Sequence, residues 1–253
     1  MTRRRWIADT WSGATASLTG DQAEHLVRVL RASAGQIYDV VAGGFLHRAE
    51  VVSIHPGTSG QPPQVTFTLH EELESDTALP LHLLLAVFKF DHMEWAIEKA
   101  TELGVERMTP ILARRTEKHL AQAAAKRVER WRRIALESSK QSRRTTIPEI
   151  SDPLQLASAL ERETAATRIL LSETEQNTTL HGALNASERP TASEAVAPSS
   201  IALAIGPEGG WAAEEMALFA RHNWQPITLG PRILRAETAA ISAISIVGAH
   251  LLG

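Results

Sequence analysis

The chain has 253 residues, 43% apolar and 22% charged, with a net charge of −3, enough to bury one large core or two modest ones. It contains no cysteine, which excludes disulfides, iron–sulfur clusters and thiolate zinc sites, and its ten histidines never fall at a tight metal-ligand spacing, so no metal is expected. The basic start Met1-Thr2-Arg3-Arg4-Arg5-Trp6 lacks the apolar stretch of a secretory signal, and no run approaches the ~18 apolar residues needed to span a bilayer. A soluble cytoplasmic protein is expected.

Up to about Leu73, short β-like runs (Ile37 to Val41, Phe45 to Ile54, Val65 to Leu69) are punctuated by Gly43-Gly44, Pro56-Gly57 and Pro62-Pro63, a pattern that predicts a small antiparallel barrel or sandwich. Between them, Asp21 to Arg31 carries Ala23, Leu26, Val27 and Leu30 at helical spacing. The polar stretch Glu71 to Thr77 reads as a linker, giving domains at 1–73 and 78–253.

The second part opens with a strand-like run, Leu81 to Phe88. Asp91 is then placed to cap a helix with Glu94 at its third position and Met93, Ala96, Ile97, Ala100 and Leu103 on one face, until Gly104 ends it. A strand over Met108 to Leu112 and a helix over Ala121 to Ser139 follow, the helix turning Val128, Trp131 and Ala135 inward. Lys99 is expected to pair with Glu102 or Glu106, and Trp6, Trp95 and Trp131 to be core residues. Further strand-like runs lie at Arg168 to Leu171, Ile201 to Ile205 and Ile227 to Leu229. Leu184 to Ser200, rich in Ala, Ser, Glu and Pro, reads as a flexible surface excursion. Glu237 to Leu252 is apolar almost all round and must be buried on most sides, in its own core or against a second subunit. The alternation predicts a mostly parallel sheet with helices on both faces.

Charge is unevenly placed. Arg114 to Arg144 holds eleven Lys/Arg against three Glu, so this segment is +8 and the remainder −11, an electrostatic footprint suited to phosphates. Two glycine-proline turns stand out, Ile205-Gly206-Pro207-Glu208-Gly209-Gly210 and Leu229-Gly230-Pro231-Arg232-Ile233-Leu234-Arg235-Ala236-Glu237-Thr238. Each leaves a strand-like run and enters a helix-like one, as ligand loops do in α/β proteins. The first lacks the G-x-G-x-x-G spacing of a dinucleotide site and the G-K-[ST] of a P-loop, so NAD and ATP are poor candidates.

These loops, with Glu98-Lys99-Ala100-Thr101-Glu102-Leu103-Gly104-Val105, Arg130-Trp131 through Gln141-Ser142-Arg143, and Ile147-Pro148-Glu149-Ile150, closely resemble the RsmE family of small-subunit ribosomal RNA uridine N3-methyltransferases. The resemblance implies an α/β SPOUT-type catalytic domain with a mostly parallel sheet threaded into a trefoil knot, preceded by a PUA-like RNA-binding β-barrel. It also implies a homodimer using S-adenosylmethionine on 16S rRNA of the small ribosomal subunit. The cofactor pocket is then expected to be lined by Leu171, Ser172 and Glu173, by Gly206, Pro207, Glu208, Gly209 and Gly210, and by Leu229, Gly230, Leu234, Arg235 and Thr238. Ala212 departs from similar sequences, which often place a capping Ser, Thr or Asp there; losing that cap costs ~1 kcal/mol.

Methyl transfer to N3 requires an unpaired or flipped uridine and loss of the N3 proton. Arg235 is the candidate for stabilising the developing charge, and Glu237 for orienting that arginine or taking the proton. RNA contacts are expected from Arg3, Arg4, Arg5, Arg28 and Arg31, and from Lys89, Arg114, Arg115, Lys140, Gln141, Arg143 and Arg144. Two other readings stay open: a SPOUT enzyme with a different RNA target atom, and a non-catalytic ribosome-assembly factor.

Overall fold

The computed structural model describes residues 5–58, 60–75, 78–187 and 200–252. Arg3, Arg4 and most of the predicted excursion therefore lie outside the described residues. The chain divides into two units, Met1–Thr77 with Ser139–Thr146, and Ala78–Ser138 with Ile147–Gly253.

The first unit is built on a mixed six-stranded sheet in the order β1-β4-β5-β6-β3-β2. Its strands are β1 (Arg5–Ile7), β2 (Thr10–Ser12), β3 (Thr15–Thr19), β4 (Ile37–Ala42), β5 (Phe45–His55) and β6 (Gln64–Leu73). Only β1 and β4 pair in parallel. Trp6, Leu18, Leu26, Val40, Val51, Val65 and Phe67 form its core. Leu46, Ala49 and Val51 of β5 are buried, and two register shifts interrupt the β5–β6 pairing, between His47 and Ala49 and between Val51 and Ser53. Because β6 runs on to Leu73, the expected linker at Glu71 starts three residues later.

The helix expected over Asp21 to Arg31 is a short α1 (Gly20–Glu24) continued by a π-helical turn, His25–Val29. Leu30 N–H bonds to the His25 carbonyl, five residues back. That extra residue per turn explains a correction: Ala23 and Leu26 are buried, but Leu30 is exposed.

The second unit carries a seven-stranded, all-parallel sheet in the order β10-β8-β7-β12-β11-β13, with β9 also pairing β8. Its elements in order are β7 (Leu79–Ala86), α2 (Phe90–Glu102), β8 (Val105–Leu112), α3 (Lys118–Ser142), β9 (Glu149–Ile150), β10 (Leu154–Gln155), α4 (Leu156–Arg162), β11 (Thr167–Leu171), α5 (Leu180–Ser187), β12 (Ile201–Ile205), α6 (Ala213–Arg221), β13 (Gln225–Ile227) and α7 (Ala236–Leu252). Both faces are covered, as a parallel sheet requires. Leu81, Leu83, Leu85, Ile201, Leu203 and Ile205 face a core shared with α2, α3, α5 and α7. Leu84, Ala86, Ala202 and Ala204 face the opposite way, where α4, Trp211, Phe219 and Trp224 pack. Small alanines on that side of β12 leave room for three aromatic rings in successive edge-to-face contact.

Several expected details shift. Helix α2 begins at Phe90 after Lys89, with no side-chain cap, so Asp91 lies inside its first turn. Glu94 holds two of the three guanidinium nitrogens of Arg130, Nε and Nη2, at 2.6 and 2.7 Å. Trp95 is 47% exposed, on the face of α2 opposite Met93, Ala96, Ile97 and Ala100. Leu184 belongs to α5 rather than to a loop, and β13 ends at Ile227, after which Thr228 enters a turn. Lys99 pairs with Glu98 and Glu102, at 2.7 and 2.8 Å. In α7 one face, Ala240, Ala243, Ile244 and Val247, is buried, while Ile246 and Leu252 are exposed.

At the end of α3, Arg144 N–H bonds to the Ser139 carbonyl and Arg143 takes φ +62°, the helix-ending arrangement in which glycine is favoured. The Arg143 carbonyl accepts a bond from the Arg5 guanidinium at 2.8 Å, a contact that needs no Arg143 side chain. Replacing Arg143 by Gly should therefore raise unfolding stability by about 1 kcal/mol, measured by denaturant titration; an unchanged or lower stability would contradict the strain argument.

A polar cluster fastens α4 to the sheet. The fully buried Glu163 carboxylate contacts His82 Nδ1, accepts from the Thr164 and Ala165 amides at 2.9 and 2.8 Å, and lies 3.7 Å from Arg107. His82 Nε2 reaches Thr109 Oγ1 at 2.8 Å. Burial alone would raise the Glu163 pKa, but the bond and charge of His82, the Ala165 amide and the Arg107 charge outweigh it and hold the carboxyl below its usual 4.5. A depressed carboxyl contributes stability that is present above the unfolded value and lost as pH falls through the folded one. Glu163→Gln should cost about 2 kcal/mol at pH 7 and flatten the loss of stability below pH 4.5, read by thermal melts across pH.

Candidate active site

The C-terminal ends of β11, β12 and β13 open on one side of the sheet, with β11 between the other two. The chain leaves β11 toward β12 on one side and returns to β13 on the other, the reversal at which α/β sheets form a crevice. The loops that follow the three strands wall a cavity of about 1050 Å³.

Each loop is stiffened locally. After β11, Ser172 Oγ meets Thr174 Oγ1 at 2.9 Å, and Glu175 accepts from the amides of Asn177 and Thr178, bonds that lower its pKa. After β13, Thr228 Oγ1 bonds both to Gly230 N–H and to the Gly230 carbonyl, at 3.1 Å each. The β11 and β13 loops are laced together by Ser172 N–H to the Ile227 carbonyl and Thr228 N–H to the Thr178 carbonyl. After β12, Gly210 N–H closes a turn on the Pro207 carbonyl, with Gly210 at φ +68°. A Cβ on Gly206 would stand 3.1 Å from the Trp211 indole nitrogen, a close approach that would press on the ring closing the floor beneath the loop.

Of the residues expected at the cofactor site, Leu171, Ser172, Glu173, Gly206 to Gly210, Leu229, Gly230, Leu234 and Arg235 all line this cavity. Thr238 does not; it is exposed on α7, while the two residues before it, Ala236 and Glu237, are buried. The cavity holds the glycine-thinned walls and backbone polar groups that an adenosyl and amino-acid ligand would need. Among the described residues no group of three or more His, Asp or Glu is placed to hold a metal ion, and no helix is long and apolar enough to cross a membrane.

Arg235 is exposed at the cavity wall, and its carbonyl accepts Ala239 N–H as α7 begins. Glu237 is 2% exposed, and its carboxylate faces His92 Nδ1 at 3.4 Å; no hydrogen bond or ion pair to Arg235 occurs among the described residues. The expected Arg235–Glu237 pairing is thus replaced by a His92–Glu237 pair. His92, Glu175 and Trp211 line the cavity without having been singled out from sequence, and Arg232 and Ile233, part of the second glycine-proline motif, line it beside the residues expected there. His92 and Lys89 follow a parallel strand, β7, and the rule that ligands sit beyond strand C-termini would have pointed to them.

The residues expected to touch RNA fall into two groups. Arg5, Arg28, Arg31, Lys140, Gln141, Arg143 and Arg144 belong to the first unit, and Lys89, Arg114 and Arg115 to the second. Arg28 pairs with Glu24 at 2.7 Å on the surface. Burial pushes the Arg144 guanidinium down to about 10, so it stays charged at neutral pH. Within α3, Arg127, Arg130 and Arg132 are committed to Glu94, Glu129, Asp152 and the Ile150 carbonyl, which narrows the +8 segment as a phosphate footprint. Lys89 and Arg115 line the cavity itself.

The RNA methyltransferase domain family matches residues 75–248. Over 240 residues the chain is 35% identical to ribosomal RNA small subunit methyltransferase E of Synechocystis, covering 94% of this chain and 74% of that protein. Over 237 residues it is 31% identical to the Bacillus subtilis protein of the same name, covering 92% and 89%. Its fold superposes on a Legionella pneumophila methyltransferase solved with bound cofactor SAM, with a TM-score of 0.76, 29% identity and 98% of each chain covered. A match of this extent, with glycine loops walling a cavity beyond the strands, establishes that the chain belongs to the ribosomal RNA small subunit methyltransferase E family of RNA methyltransferases.

Proposed function

We propose that the protein transfers a methyl group from S-adenosylmethionine to N3 of a uridine in 16S rRNA of the small ribosomal subunit, in the cytoplasm and as a homodimer. The observation that carries this reading is the single cavity into which the β11, β12 and β13 loops all face. When bound there, S-adenosylmethionine supplies an electrophilic methyl carbon. The protein's share of the chemistry is alignment, exclusion of water and management of the N3 proton.

Arg235, at the cavity wall, stands where a guanidinium stabilises charge on O2 or O4 as N3 loses its proton. Glu237 lies in the first turn of α7, where the helix dipole favours a carboxylate, and its burial demands a partner, which His92 provides. Its role is to brace the start of α7 beneath Arg235. The half-buried Leu171, Leu229 and Leu234 make part of the wall apolar and keep water from the reacting atoms.

We read the second unit as a SPOUT domain with a trefoil knot, spanning 78–253. This is supported by insertion of the late strand β12 between β7 and β11, and by the return of the chain past β11 to β13 before α7. We read 1–73 as a PUA-like barrel. In favour, β1 and β2 stand at opposite ends of the sheet order yet are joined through Ala8 and Asp9, whose amides bond to Val41 and Ser17 carbonyls. Dimerisation is supported by exposed Ile246 on α7 and exposed Trp95 on α2.

The purified protein, given labelled cofactor and small subunits lacking the modification, should yield N3-methyluridine by mass spectrometry of digested rRNA. A different methylated nucleoside, or no transfer by folded protein, would overturn the assignment. Arg235→Ala should lower turnover about 100-fold while cofactor affinity, by calorimetry, changes less than about threefold. Arg143→Gly should weaken RNA binding and reduce the slope of log affinity against log salt by about 0.9, even as the variant gains stability.

A further inference from the structure

We infer that Arg115 is a positioning residue for the donor-binding loop, not an RNA contact: carried by the turn between β8 and α3, it latches Gly206–Gly210 in the shape that receives the cofactor. The inference rests on the reading of this loop as a wall of the methyl-donor site.

A loop with three glycines in five residues has almost no side chains with which to hold itself, and each glycine loses much conformational freedom on being fixed. Its one internal restraint is the turn closed by Gly210 N–H on the Pro207 carbonyl, and further restraint comes from outside the loop. Arg115 Nη1 donates to the Gly209 carbonyl at 2.5 Å. A Cβ at Gly209 would meet Arg115 Cδ at 3.4 Å and its Cβ at 3.6 Å, so the arginine stem lies flat against that glycine. At Gly210 the same position would be 3.9 Å from Arg115 Nη1 and 3.8 Å from Glu173 Oε2, which brings the β11 loop to the other side of the latch.

The turn that presents Arg115 is itself anchored. Thr116 Oγ1 donates to the Val87 carbonyl at 2.9 Å. The buried Glu215 carboxylate accepts from Arg114 N–H and from Ala212 N–H, each at 2.8 Å, tying the β8–α3 turn to the start of α6. Lys89 adds a looser tether to Glu208 at 3.5 Å. Both side chains are exposed, but the Arg115 guanidinium is engaged by the Gly209 carbonyl, whereas the Arg114 side chain has no hydrogen bond or ion pair among the described residues and only its backbone carries an anchoring bond, so the phosphate contact expected of this pair falls to Arg114.

The test uses the full chain with Arg115→Ala, Arg115→Lys and Arg114→Ala. In the unliganded protein, amide exchange across Gly209 to Trp211 should speed up about tenfold in Arg115→Ala, the equivalent of losing one charge-assisted hydrogen bond, and Arg115→Lys should recover most of it. S-adenosylmethionine affinity should fall about tenfold in Arg115→Ala and return to within about threefold in Arg115→Lys. The salt slope of RNA binding should be unchanged in Arg115→Ala and lower by about 0.9 in Arg114→Ala. Unchanged exchange and cofactor affinity in Arg115→Ala, or a lowered salt slope in that variant, would overturn the inference. Failure of the wild-type protein to bind the cofactor would refute the donor-site reading instead, while the exchange result still decides whether the latch exists.

Discussion

The placement of β12 between β7 and β11 is the constraint on which the rest of the second unit depends. It puts a strand buried on both faces at the centre of a parallel sheet and brings its glycine loop beside the loops of β11 and β13. A strand in that position must be apolar at every residue, and Ile201–Ile205 is. It must also be asymmetric: isoleucines and leucine toward α7, alanines toward Trp211, Phe219 and Trp224. That asymmetry lets the indole of Trp211 rise beneath Gly206 and form a floor.

The cavity that results is held together by short polar side chains bonded to loop backbone and by bonds between the loop backbones themselves. Hydrogen bonds from Thr228, Ser172, Glu175 and Gly210 fix the loop shapes, and arms from the β7 and β8 turns brace the glycine loop from across the sheet. Such a site is preorganised before ligand arrives, which suits a reaction whose catalysis is chiefly alignment. Charged groups sit at its edges, with Arg235 exposed and Glu237 buried against His92.

Basic residues do different work in different places. Several arginines of α3 are spent on carboxylates and a carbonyl of their own unit, so a count of cations along the sequence overstates the charge available to RNA. Arg143, holding a conformation that favours glycine, and Arg144, charged despite burial, are the cations whose placement calls for the most explanation.

The sequence by itself determined the alternation of elements, the two-sided burial of the sheet, the family and part of the set of loop residues around the cavity, because strand periodicity, glycine-proline turns and motif spacing are local properties written in consecutive residues. Only the tertiary structure decided which side chains meet across those loops. Glu237 faces His92 rather than Arg235, Thr238 turns away, Arg115 reaches Gly209, Trp95 is exposed, and a π-turn rotates Leu30 outward. Each of these follows from strand order, helix phase or a single extra residue in a turn, and none is encoded at a spacing that one stretch of chain can display.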